Sequence, residues 1–274
     1  MKIERIAGAI GAEISELDLR QPLSDTDTAQ LRAALLRHKV IFLRGQPLTA
    51  AEFIGFAQRF GQPIEYPFVK GIEGFPEIIE VKKLEHERAN FGGVWHSDTT
   101  YLEVPPMATL LLSREVPPYG GDTMFANQVA AYEALSDTMK RLLHGLQGIS
   151  SSAKADVSKT REDRIRSDGN ESAAREYVAR HPIVRTHPET GEKALYVNVA
   201  HTVGIEGLTE AESAPLLNFL FEHQVKAEFV CRWRWQSNCI AFWDNRAAMH
   251  YPVNDYHGFR RVMHRITLAG TRPT

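Results

Sequence analysis

At 274 residues, with 43% apolar and 24% charged side chains, the chain can bury one large core, and its composition is neither disordered, collagen-like nor that of a disulfide scaffold. A formal net charge of −2 gives no electrostatic case for a nucleic-acid partner or an anionic membrane surface. No apolar stretch approaches a membrane span, Met1 to Arg5 lacks the apolar core of a signal peptide, and Cys231 with Cys239 are too sparse for a disulfide or zinc framework, so a cytoplasmic location is expected.

Leu31, Ala34 and Leu35 recur at helical spacing, which predicts a helix from Ser24 to His38 with the serine as its N-cap. Lys39 to Leu43 reads as a buried strand ending at Arg44 and Gly45. Thr49 and Glu52 form a capping box for a helix to about Phe60, stopped by Gly61. From Met107 onward short β-like runs dominate: Ala108 to Ser113, Ala194 to Val199, Glu228 to Trp235, Cys239 to Trp243 and Val262 to Ala269. Thr209 and Glu212 repeat the capping signature for a helix to about Lys226. Without repeats or low-complexity linkers the chain reads as one domain over residues 1–274, mainly β with flanking helices, in a sandwich or barrel. The polar stretch from about Ser150 to His181 offers little to bury, and reads as an insertion that is either a lid or solvated surface.

The chemistry concentrates in Trp95-His96-Ser97-Asp98. On an extended segment the side chains of His96 and Asp98 point to the same side, as two ligands of one metal must. A His-x-Asp pair also arises by chance, and most histidines are structural; His38, His86, His144, His181 and His223 sit beside polar helical or loop residues and read as ordinary. What separates His96 is its company. His250 follows a β run, and two imidazoles with one carboxylate on one face of a metal leave the opposite face open, as non-haem Fe(II) oxygenases require. Eleven residues beyond His250 comes Arg261, and alternation along the last strand sets Arg261, Met263, Arg265 and Thr267 on one face, with His264 on the other. Two arginines on so apolar a strand are costly unless each meets an anion, either a bound one or an internal Asp or Glu.

These motifs resemble the taurine and 2,4-dichlorophenoxyacetate dioxygenase (TauD/TfdA) family of Fe(II)/2-oxoglutarate enzymes. The likeness runs through Trp95 to Asp98, Gly120-Gly121-Asp122-Thr123-Met124-Phe125, Trp243-Asp244-Asn245-Arg246 leading into His250-Tyr251, and Arg260 to Arg265. It spans nearly the whole chain, from Gly11 to Gly270. The resemblance implies a double-stranded β-helix, a jelly roll of the cupin type, with flanking helices. It further implies that His96, Asp98 and His250 bind iron, that Thr123 and Arg261 hold the distal carboxylate of 2-oxoglutarate, and that Arg265 faces an anionic group of the primary substrate. It also implies a homo-oligomer. Thr123 has a plainer reading as an ordinary strand threonine after a Gly-Gly turn.

By the same resemblance the enzyme is an oxidoreductase that couples O2-dependent decarboxylation of 2-oxoglutarate to hydroxylation of a small anionic organic molecule, and the intact Asp98 carboxylate speaks for hydroxylation over halogenation. Taurine-specific members grip sulfonate and amine with a His and a Tyr after the Phe-Gly turn and an Asp-Asn pair just before the Trp-His; here the His position reads as Tyr66 and the Asp-Asn position as Phe91-Gly92. A site without those polar partners disfavours taurine. Tyr66, Phe68 and Phe91 suggest an apolar pocket for an alkylsulfonate, alkyl sulfate or aryloxyalkanoate, with C–S or C–O cleavage when the hydroxyl lands beside the heteroatom, although each aromatic could equally be core packing. The rivals are taurine dioxygenase proper, a non-catalytic jelly roll that senses 2-oxoglutarate or metal, and a zinc hydrolase on the same ligands, which would leave Thr123 and Arg261 without a role.

Overall fold

The computed structural model describes residues 1–90, 92–154 and 176–274. Its N-terminus is a hairpin of β1 (Lys2–Arg5) and β2 (Ala12–Ser15), and β2 runs parallel to β3 (Val40–Leu43). Between them lies α1 (Asp25–His38), where the Ser24 hydroxyl accepts from the Asp27 amide at 3.0 Å and Asp25 and Asp27 complement the positive end of the helix dipole. The helix closes on Lys39 in the left-handed region (φ 64°), so Lys39 is its cap and the strand starts one residue later than the sequence suggests. Thr49 and Glu52 close the expected capping box on α2 (Ala50–Gln58).

The principal sheet orders as β1-β2-β3-β14-β6-β16-β4, with β5 on the other part of β16. Its later strands are β4 (Pro63–Ile64), β5 (Ile79–Lys83), β6 (Ala108–Glu115), β14 (Ile240–Asp244) and β16 (Arg261–Leu268). Period-two alternation splits the core into two layers. Ile41, Leu43, Leu110, Leu112, Ile240, Phe242, Ile266 and Leu268 face outward and bury Leu31 and Leu35 of α1 with Phe53 and Phe56 of α2. Phe42, Leu111, Ala241, Trp243 and Met263 face inward, toward Phe125 and Trp233 of a second sheet. That sheet is β13 (Val230–Trp233), β7 (Thr123–Asn127) and β15 (Ala248–Pro252), antiparallel throughout. Phe42 stacks on Trp233 across the gap, centroids 4.2 Å apart. Two facing sheets with helices outside make the expected jelly roll.

A further layer packs α3 (Gln128–Glu133), α4 (Asp137–Leu143) and α5 (Glu210–His223) with strands β8 (Gln147–Ser151), β9 (Val178–Pro182), β10 (Val184–Thr186), β11 (Lys193–Leu195) and β12 (Thr202–Ile205). Three expectations shift here. The run Ala194 to Val199 is a strand only to Leu195, because Asn198 draws the chain into a turn, accepting from the His201 amide on Oδ1 and the Thr202 amide on its carbonyl. Glu228 to Trp235 begins as a single 3-10 turn, Ala227–Phe229, before β13. The polar stretch Ser150 to His181 starts and ends in paired strands, where Ser150, Ser151, Ala179 and His181 are buried. Residues 155–175, the middle of that stretch, lie outside the described residues.

Candidate functional site

The loop before β6 and the strand β15 meet through their backbones. His96 N donates to the His250 carbonyl at 3.0 Å, and His250 N donates to the His96 carbonyl at 2.8 Å. That reciprocal pair fixes the two imidazoles side by side, centroids 4.1 Å apart. Asp98 completes the set: its Oδ1 lies 3.8 Å from His96 Nε2 and 4.0 Å from His250 Nε2, and all three residues are buried. The three ligand atoms fall within 4.8 Å of one another, which makes these residues a candidate metal centre.

His96 Nδ1 lies 2.7 Å from the Val94 carbonyl. A carbonyl only accepts, so Nδ1 carries the hydrogen and the Nε2 lone pair faces Asp98. His250 is held differently. Its Nδ1 has no hydrogen-bond partner, and its ring is gripped by Trp243, centroids 4.7 Å apart, and by Phe125 at 6.1 Å. Burial, opposed by Asp98, draws His96 below the ordinary histidine pKa; it draws His250 well below, with His96 adding to the effect. Burial would raise Asp98, but Arg265, His250, His96 and the Thr109 hydroxyl outweigh it and hold the carboxyl well below its usual range. Two neutral nitrogens and an ionised oxygen therefore converge at neutral pH, the donor set that suits a divalent iron.

The β16 alternation sets both arginines against this cluster. Arg265 Nη2 is 2.8 Å from Asp98 Oδ1, an ion pair without directed hydrogen-bond geometry, so the internal salt bridge that the sequence left open exists for this residue. Arg261 differs. Buried, with its guanidinium 5.7 Å from the Trp235 ring, it has no hydrogen-bond partner on Nε or Nη2 and, among the described residues, no carboxylate at ion-pair distance. A desolvated guanidinium without an anion is costly, and it fits a ligand carboxylate. Thr123 shares the cavity and its Oγ1 accepts from Trp235 Nε1 at 3.0 Å. The Gly120-Gly121 turn explains how β7 comes so close: Gly121 has φ 67°, and a Cβ there would lie 3.2 Å from the Tyr256 ring and 3.4 Å from Arg261 Cδ.

His96, Asp98, Thr123, His250, Arg261 and Arg265 thus line one cavity, together with Val81, Leu111, Trp243 and Pro252. Tyr66 does not line it but packs against the lining Arg265, ring centroid 5.1 Å from the guanidinium, and lies edge-on to Phe68. Phe91 lies outside the described residues. Sequence reasoning missed Thr109, whose hydroxyl donates to Asp98 Oδ2 at 2.6 Å, and His201, whose ring lies 6.0 Å from that of His96. Thr109 carried a usable signal, a lone hydroxyl in an apolar strand; His201 carried none, since it follows a loop of unpredicted shape.

Comparison with known proteins follows the same lines. Residues 2–267 match the family described as taurine catabolism dioxygenase TauD, TfdA family. An alpha-ketoglutarate-dependent sulfate ester dioxygenase of Pseudomonas putida is 37% identical, covering 100% of this chain and 91% of the relative. An alkylsulfatase of Acinetobacter baylyi is 35% identical over 98% of this chain and 85% of its own. The crystal structure of a putative alpha-ketoglutarate-dependent taurine dioxygenase from Burkholderia xenovorans superposes with a TM-score of 0.87 at 37% identity, covering 100% of this chain and 94% of that one. With the motifs, the jelly roll and the His-Asp-His cluster in agreement, the chain belongs to the TauD/TfdA family of 2-oxoglutarate-dependent dioxygenases, which take Fe(II) as cofactor and O2 as co-substrate.

Proposed function

We propose that this chain is a cytoplasmic dioxygenase that hydroxylates a sulfate ester with an apolar body at the carbon bearing the ester oxygen. The observation that carries this reading is the division of labour along β16: beside one buried His-Asp-His set stand one arginine with no carboxylate at ion-pair distance among the described residues and one ion-paired to Asp98. His96 Nε2, Asp98 Oδ1 and His250 Nε2 would hold Fe(II), which with 2-oxoglutarate and O2 supplies the oxidant. Arg261 would clamp the distal carboxylate of 2-oxoglutarate, with Thr123 beside it. Arg265, already at the Asp98 side of the cavity, would take the substrate's anionic head. Val81, Leu111 and Pro252 give the cavity an apolar wall that keeps bulk water from the reacting carbon. The buried, free thiols of Cys231 and Cys239 suit a reducing compartment.

The substrate class rests on the two relatives named for sulfate esters and alkyl sulfates, and on the cavity's composition. Among the described residues that line it, Asp98 is the only carboxylate, which leaves little to receive the ammonium of taurine. Hydroxylation of the ester-bearing carbon yields a hemiacetal sulfate that collapses to an aldehyde and inorganic sulfate, alongside succinate and CO2. The test is a panel of hexyl sulfate, hexanesulfonate, an aryloxyacetate and taurine, with succinate and sulfate quantified. Hexyl sulfate releasing sulfate in step with succinate supports the assignment. Taurine outpacing the apolar anions would return the alternative, taurine dioxygenase proper. We also expect a homo-oligomer, which light scattering of the purified protein decides.

A further inference from the structure

The two carboxylate oxygens of Asp98 meet different partners. Oδ1 faces the two Nε2 atoms, whereas Oδ2 accepts from the Thr109 hydroxyl. Thr109 is fully buried on β6, on the same face as the cavity-lining Leu111, and is the register partner of Trp243. Its Oγ1 lies 2.8 Å from Asn245 Nδ2, and Asn245 Oδ1 lies 2.9 Å from Trp243 Nε1. The Asp98 amide points at the same Asn245 oxygen, 3.5 Å away.

Donor chemistry fixes the direction of this chain. An indole N–H only donates, so the Asn245 oxygen must face Trp243 and its NH2 must face Thr109. An ionised carboxylate only accepts, so the single Thr109 proton goes to Asp98 and the Thr109 oxygen takes the proton of Asn245. The reversed amide would leave Trp243 Nε1 against NH2 and Thr109 with no proton donor, two unmet groups in a buried place. Each bond in such a one-way buried chain polarises the next.

We propose that Trp243, Asn245 and Thr109 are positioning residues for the metal: they hold Oδ2 away from the ligand cluster, so that Asp98 offers Oδ1 alone. The proposal rests on His96, Asp98 and His250 being the ligand set. A carboxylate that cannot turn to present both oxygens leaves the remaining coordination positions for 2-oxoglutarate and O2. It also explains why a threonine, and not the equally bulky valine, stands in this apolar strand.

Co(II), titrated into the full-length metal-free protein and followed by its visible ligand-field absorption, tests this without turnover. Thr109→Val should weaken Co(II) binding by about 10–100-fold, the usual effect of losing a partner behind a metal ligand, and should change the absorption spectrum. Thr109→Ser, which keeps the hydroxyl, should retain wild-type spectrum and affinity to within about threefold. If Thr109→Val does not fold, Asn245→Ala breaks the same chain one link earlier and carries the same expectation. Wild-type spectrum and affinity in the variant that lacks the link would overturn the proposal. Asp98→Ala keeps the two failures apart: if it binds Co(II) as the wild type does, the ligand reading itself is wrong, whereas its loss of binding beside a normal Thr109→Val indicts the relay alone.

Discussion

Arg261 and Arg265 share a face of one strand yet meet different chemistry, and their variants should separate accordingly. Among the described residues Arg261 has no carboxylate at ion-pair distance to release, so Arg261→Ala should raise the apparent KM for 2-oxoglutarate by about one to two orders of magnitude, the worth of a charge-assisted contact at roughly 1.5–3 kcal/mol. Arg261→Lys should recover only part, because a point charge cannot match a carboxylate fork. A loss confined to the primary substrate would exchange the two arginine roles. Arg265→Ala should instead abolish the preference for anionic over neutral analogues of the best substrate, read as the ratio of their kcat/KM values. The sequence made both arginines visible, because alternation assigns faces. It could not show that Arg265 reaches Asp98, since facing is not distance, and the 2.8 Å contact depends on how β16 lies against the loop carrying Asp98.

At the scale of elements, the turn from β14 to β15 that delivers His250 is tied down by a buried ionic network. Asp244 accepts from Arg246 Nη2 at 2.7 Å and from His187 Nε2 at 2.9 Å, and Arg246 reaches Glu189, which also holds Arg32 of α1. Burial would raise Asp244, but the Arg246 and His187 contacts keep its carboxyl well below the usual range. Arg246→Ala should therefore destabilise the metal-free protein by about 3–5 kcal/mol, because it removes the charged partner of a buried carboxylate and leaves it only the His187 contact. Urea denaturation measures this, and a change under about 1 kcal/mol would show that the network is not needed to hold the turn. Elements governed by local signals were legible in the sequence: Ser24, Thr49 and Thr209 each mark a helix start because a cap is decided within four residues. The run after Leu195 was not, because Asn198 satisfies backbone groups that a strand would otherwise use. Nor could the strands at both ends of the polar stretch be read, since β8 and β9 are defined by each other and not by their own composition.

Across the whole molecule, the neutral histidines set the response to acid. Burial above all, with His96 next, lowers His201 to about 3 from an ordinary 6.5. The unfolded chain therefore binds a proton that the folded one refuses as pH falls from about 6.5 toward 3, and stability drops across that window by about 1.4 kcal/mol per pH unit for each such histidine. Asp98 and Asp244 run at lower pH: their depressed folded pKa values contribute stability above the ordinary carboxylate range and lose it below. His201→Gln should flatten the dependence of metal-free stability on pH by one proton, measured by urea titration at a series of pH values; an unchanged slope would mean that His201 titrates normally in the fold. The central claim concerns the ligand set, and its most direct test is simultaneous measurement of O2 uptake and succinate release with Fe(II), 2-oxoglutarate and hexyl sulfate, for the wild type and His250→Ala. The wild type should consume O2 and release succinate in equal amounts, only when both Fe(II) and 2-oxoglutarate are present, while His250→Ala folds and does neither. A His250→Ala protein that turns over like the wild type would contradict the account.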